Sequence, residues 1–120
     1  MDEICMISLL LDFYGQLVTK RQYEILDMHY NNDCSFGEIA AELNISRQGV
    51  YDNIKRGKAA LLSIERKLGL VARFVDQKKR ALEIMKALES IDDTALSAKD
   101  RESLDWARRT AKCMAEDTEV

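Results

Sequence analysis

The sequence predicts an all-α protein, an orthogonal helical bundle built around a helix-turn-helix and followed by long C-terminal helices. Three observations predict it. The 120 residues contain no proline and only five glycines, so little interrupts long runs of Leu, Ile, Ala, Glu and Lys, most of them strong helix formers. Apolar residues recur at three- and four-residue steps along most of the chain. Between those stretches stand Ser or Thr residues followed three places on by Gln or Glu, the mark of a helix start. The length suits one compact domain or a domain with an extension. The division expected is residues 1–70 as a helix-turn-helix domain and residues 71–120 as a C-terminal helical extension.

Each element has its own reason. A first helix is expected from about Asp2 to Tyr14, with Ile4, Ile7, Leu10, Leu11 and Tyr14 on one apolar face and Gly15 stopping it in a left-handed conformation. Thr19 with Gln22 opens a second helix carrying Tyr23, Ile25, Leu26 and Met28, which ends at Asn31-Asn32-Asp33. Ser35 with Glu38 opens a short third helix through Leu43, and Asn44-Ile45-Ser46 makes a tight turn. Ser46 caps a fourth helix reaching about Leu68, with Gly69 past its end. Its apolar stripe is Val50, Ile54, Leu61, Ile64 and Leu68, and Gly57 lies in that stripe. A glycine there costs about 1 kcal/mol relative to alanine, which close approach of another helix would explain. Leu70 to about Ile91 forms a fifth helix, with Val71, Phe74, Val75, Leu82, Met85 and Leu88 inward. A sixth, capped by Ser97, runs from about Ala98 to Glu116 with Leu104 and Trp106 as its bulky residues. Phe13, Tyr14, Tyr23 and Tyr30 read as packing between the first helices rather than as a ligand site.

Composition excludes several classes. The opening Met1-Asp2-Glu3 is acidic where a secretory signal needs positive charge, and Ile7 to Leu11 is far too short to cross a bilayer. Cys5, Cys34 and Cys113 show no ligand spacing, and the lone His29 adds none, so no metal and no cofactor are expected. Unpaired thiols of this kind fit a reducing, cytoplasmic setting without membrane insertion. No nucleophile-and-base pair or phosphate loop is visible, so no catalytic residue and no enzyme are expected.

The formal net charge of −3 disguises an uneven distribution. Residues 1–46 hold two basic and eight acidic side chains, a balance of −6. Residues 47–67 hold six basic and two acidic, a balance of +4, and the remainder is near neutral at −1. Positive charge is concentrated on one helix, and local potential governs docking more than the total does.

The turn around residue 44 satisfies what a helix-turn-helix demands. Ala40 is small where the helices cross, with Ile39 and Leu43 beside it. Asn44 tolerates unusual backbone angles. Ile45 can tuck inward, and Val50 and Ile54 can be buried while the N-terminal face of the second helix stays free. On that face helical spacing places Arg47, Gln48, Tyr51, Asp52 and Lys55. Arg47 and Gln48 occupy the first turn, which reaches base edges, where arginine suits guanine and glutamine suits adenine. Lys55, Arg56 and Lys58 suit phosphates. Tyr51 can meet a phosphate or a thymine methyl, and Asp52 a cytosine amino group. The competing reading is a charged face that is merely solvated.

These residues also carry a resemblance. Leu11-Asp12-Phe13-Tyr14, Leu17-Val18-Thr19-Lys20-Arg21-Gln22, the run from Ser46 to Arg56, and Glu65-Arg66-Lys67-Leu68 resemble the YlxM family, over roughly residues 7–85. The resemblance implies a helix-turn-helix similar to region four of bacterial sigma factors, or to the winged-helix kind. It implies a bacterial DNA-binding regulator of transcription, associated with the signal recognition particle pathway, with DNA as partner and components of that particle as further partners. The rival function is an interaction module that grips a protein or the particle's ribonucleoprotein without specific DNA binding. A homodimer is a further expectation, since such proteins read paired half-sites, with Leu82, Met85 and Leu88 or the Trp106 helix as the interface.

Overall fold

The computed structural model describes residues 2–116, and among them every regular element is helical. Six helices follow in order: α1 (Glu3–Tyr14), α2 (Lys20–Leu26), α3 (Phe36–Leu43), α4 (Arg47–Leu68), α5 (Leu70–Glu89) and α6 (Ala98–Glu116). With no strand among the described residues, α4 is not followed by a wing. The chain forms two compact units that divide after Val71.

In the first unit the predicted caps are formed. Thr19 and Ser35 each accept a hydrogen bond from the backbone of the residue three places on, Gln22 and Glu38, whose side chains bond back to the cap. Ser46 accepts from the Gly49 amide, and Asp2 from that of Cys5. Each satisfies a donor that a helix start otherwise leaves open, stabilising by about 1 kcal/mol. Asn44 is left-handed at φ 55° and ψ 47°, and Gly69 likewise at φ 65°. Ile7, Leu10, Leu11, Tyr14, Ile25, Leu26, Ile39, Ala40, Val50, Ile54, Leu61 and Val71 are buried. Helix α4 packs on α1, α2 and α3, which fixes the side it can turn outward.

Gly57 shows why a glycine sits mid-helix. A Cβ there would stand 2.7 Å from Leu26 Cδ1 and 3.4 Å from Gln22 Cβ, so α2 comes closer to α4 than any side chain would allow. Gly15 differs from expectation. It is right-handed, at φ −57°, within a 3₁₀ turn spanning Gly15–Leu17. What its missing side chain supplies is space, since a Cβ would lie 2.6 Å from the Tyr23 ring. Ile4 and Leu68, expected inward, face solvent, because each lies at the outer end of its apolar stripe. Leu43 and Ile45 are half-buried. The second helix does not stop cleanly but widens into a π turn over Asp27–Asn31, held by the Asn32 amide on the Asp27 carbonyl.

The start of α5 is joined to this unit by side chains. The Tyr14 hydroxyl donates to Glu65 Oε1 at 2.5 Å and accepts from the Leu70 amide at 3.1 Å. The Val71 amide donates to the same carboxylate oxygen at 3.0 Å. Two open donors of the new helix are thereby met by α1 and α4.

In the second unit α5 and α6 are joined through residues 90–97. Arg108 closes the connection: its guanidinium donates to the carbonyls of Leu88 and Ile91 and to the Asp93 carboxylate, all within 3.0 Å. Ser97 caps α6 by accepting from the Asp100 amide. On α5, Ala81 is buried while Leu82, expected inward, is exposed, so in that turn the inward position falls one residue earlier. Trp106 lies on the outer side of α6, 63% exposed.

Candidate nucleic-acid interface

The outward side of α4 is defined by what α4 buries. Val50, Ile54, Gly57 and Leu61 turn inward at steps of three and four. Most of the remaining positions of the first three turns face away from the bundle, with Gly49 and Asn53 half-buried at its edge. Arg47, Gln48, Tyr51, Lys55 and Arg56 are exposed there, and Asp52 is half-buried.

Within that face several side chains engage neighbouring groups. Arg47 folds back over the first turn of α3, where a Cβ on Gly37 would stand 3.0 Å from its Nη2. Only glycine leaves the guanidinium that seat without a shift. Gln48 Nε2 donates to Asp52 Oδ1 at 3.0 Å. The Tyr51 ring lies 6.4 Å from Phe36, and Phe36 lies 4.9 Å from His29. His29 Nδ1 donates to the Cys34 carbonyl at 2.8 Å, which fixes the ring's orientation behind that row. Phe36 and Gly37 thus belong to the surroundings of Arg47 and Tyr51. Spacing along α4 alone gave no sign of them, although the Ser35 cap located the turn that holds both.

Lys58 stands apart from the other basic residues. It pairs with Glu3 of α1 and lies 5.8 Å above the Tyr30 ring. The hydrogen bond to Glu3 raises the Lys58 pKa, against an opposing effect of partial burial. A phosphate would have to compete with Glu3 for that ammonium group. Helix α3, which packs on α4, also exposes two carboxylates, Glu38 and Glu42. Glu38 is engaged with its own cap, and the hydrogen bonds from Ser35 hold its carboxyl below the usual range.

Among the described residues no group of acidic, Cys or His side chains is placed to hold a metal ion, and no helix is long and apolar enough to cross a membrane.

A short helix, a left-handed Asn, and a longer capped helix with its first turns outward define a helix-turn-helix protein. Residues 1–102 match the family model described as "Putative helix-turn-helix protein, YlxM / p13 like", and the chain belongs to that family. It is 62% identical over 104 residues to the UPF0122 protein of Acetivibrio thermocellus, covering 87% of this chain and 89% of the relative. The UPF0122 protein of Thermoanaerobacter pseudethanolicus is 48% identical over 90 residues, 75% of this chain and 77% of its own. That of Clostridium kluyveri is 42% identical over 105 residues, with 88% and 91% covered.

Proposed function

We propose that this protein is a non-enzymatic, DNA-binding transcription regulator that lays the first turns of α4 in the major groove. The observation that carries this reading is the outward set Arg47, Gln48, Tyr51, Lys55 and Arg56 opposite the buried Val50 and Ile54. Arg47, Gln48 and Tyr51 meet base edges, and Lys55 and Arg56 meet phosphates. Two phosphate contacts give a slope of log affinity on log salt of about −1.8. Lys58 adds a third only by leaving Glu3.

The test is a gel-shift or anisotropy titration of the full chain against a pool of genomic fragments, with the double variant Arg47→Ala, Lys55→Ala beside it. The parent binds in a salt-sensitive way, and the variant loses at least about tenfold, on the scale of one bidentate base contact plus one phosphate contact. Equal binding by the two would show that the face has been misassigned.

A second reading is a module of the signal recognition particle pathway that grips a protein or ribonucleoprotein. It is favoured by the acid on the helices that pack against α4: Glu38 and Glu42 exposed on α3, and Glu3 of α1 holding Lys58. Co-purification with the particle's protein or RNA, together with no affinity for duplex DNA at low salt, would support it over the first.

A further inference from the structure

Gln48 and Asp52 stand one turn apart on the outer side of α4, joined by a hydrogen bond of 3.0 Å. A carboxylate can only accept, so the chemistry settles which end of the amide faces it: the nitrogen. One N–H of Gln48 is consumed. What stays free is one N–H and the carbonyl oxygen.

We propose that Asp52 is a positioning residue that presets Gln48 to read adenine in the major groove. The inference rests on the DNA-binding reading above. In that groove adenine offers an acceptor at N7 and a donor at N6, whereas guanine offers two acceptors, N7 and O6. An amide left with one donor and one acceptor matches adenine. It lacks the second donor that guanine asks for. Asp52 has no cation partner among the described residues, and Gln48 is the partner it does have. A carboxylate on a face meant for a polyanion weakens general attraction, so its contribution lies in selectivity.

In water such an i,i+4 pair favours the bonded arrangement by only about 1.4- to 2.3-fold. The bias grows when the groove displaces water from around it, because the local dielectric falls.

The experiment uses the full chain and anisotropy competition, with a duplex found by selection from a random pool and its single-base variants. The parent should prefer adenine at one position by between about fivefold and about 150-fold, the range for a good bidentate contact. Gln48→Ala should abolish that preference. Asp52→Ala should reduce it at least about threefold while overall affinity holds or rises as the negative charge leaves. In adenine preference the variant carrying both changes should match Gln48→Ala alone. Asp52→Asn, which keeps an acceptor but not the charge, should raise affinity and retain most of the adenine preference. Circular dichroism checks that each variant is folded. Unchanged adenine preference in Asp52→Ala overturns the proposal, as do effects of the two alanine changes that simply multiply. Loss of a cytosine preference instead would mean that Asp52 reads a base itself, which also overturns it. A parent that binds no duplex removes the DNA-binding reading and this inference together; binding without any role for Asp52 removes only the latter.

Discussion

Replacing Gly57 by alanine places one methyl group between α4 and α2. The built Cβ lies 2.7 Å from Leu26 Cδ1, about 1 Å inside ordinary van der Waals contact. Leu26 is fully buried, so its methyl has no solvent to swing into. Overpacking of this kind costs about 1–3 kcal/mol. Against that, alanine is better than glycine in a helix interior by about 1 kcal/mol. The difference predicts a net loss of about 1 kcal/mol, or about 4–8 °C in melting temperature for a unit this small. Leu26→Val shortens the side chain and withdraws the offending methyl. In that background the steric cost disappears while the helix preference stays, so Gly57→Ala should then stabilise, by roughly 0.5–1 kcal/mol. Urea unfolding followed by circular dichroism at 222 nm, on the parent, both single variants and the double, measures the coupling. The change of sign is the diagnostic. If Gly57→Ala has the same sign and size in both backgrounds, α2 and α4 do not touch as described.

Two further outcomes follow from the junctions at either end of α5. Burial first, and then the bond to Glu65, push the Tyr14 hydroxyl above its ordinary value of 10.0. A group whose folded value is raised gives stability that is complete below its unfolded value and is lost as pH climbs through the folded one. Stability should therefore fall from about pH 10 upward in the parent, and less steeply in Tyr14→Phe; urea midpoints between about pH 8 and 11.5 decide it. Lys58 pushes in the same alkaline direction, so a residual slope persists in the variant. Arg108→Ala leaves two carbonyls and a carboxylate without their donor, and should cost about 2 kcal/mol, read as faster amide hydrogen exchange near residues 88–93. Arg108→Lys should recover little, because one compact ammonium nitrogen cannot span three acceptors that the guanidinium reaches from Nε, Nη1 and Nη2.

Local chemistry was readable in the sequence, and long-range packing was not. Thr19 with Gln22, Ser35 with Glu38, Ser46, Asn44 and Gly69 each act within four residues of themselves, so their roles show in the order of amino acids alone. The need for close approach at Gly57 was also visible, but not that Leu26 meets it. Gly15 misled because a glycine after a helix suits a left-handed stop, whereas here its use is set by Tyr23 eight positions on. The Lys58–Glu3 pair joins residues 55 apart and leaves no spacing to detect. The π turn at Asp27–Asn31 has no simple composition mark. By contrast the Gln48–Asp52 bond is an i,i+4 relation, and the helix period alone could have suggested it. On α5, side-chain bulk pointed to Leu82 when the neighbouring alanine is the buried one.

The bonds from Tyr14 and Glu65 to the first amides of α5 bear on where this protein can be cut. A fragment ending at Gly69 would strand a buried phenol and a carboxylate without the donors they hold in the intact chain. Val71, which is fully buried, would also be missing from the interior it helps fill. The shortest piece that retains its own interior therefore extends past Val71, and the opening turn of α5 is best treated as the lid of the first unit.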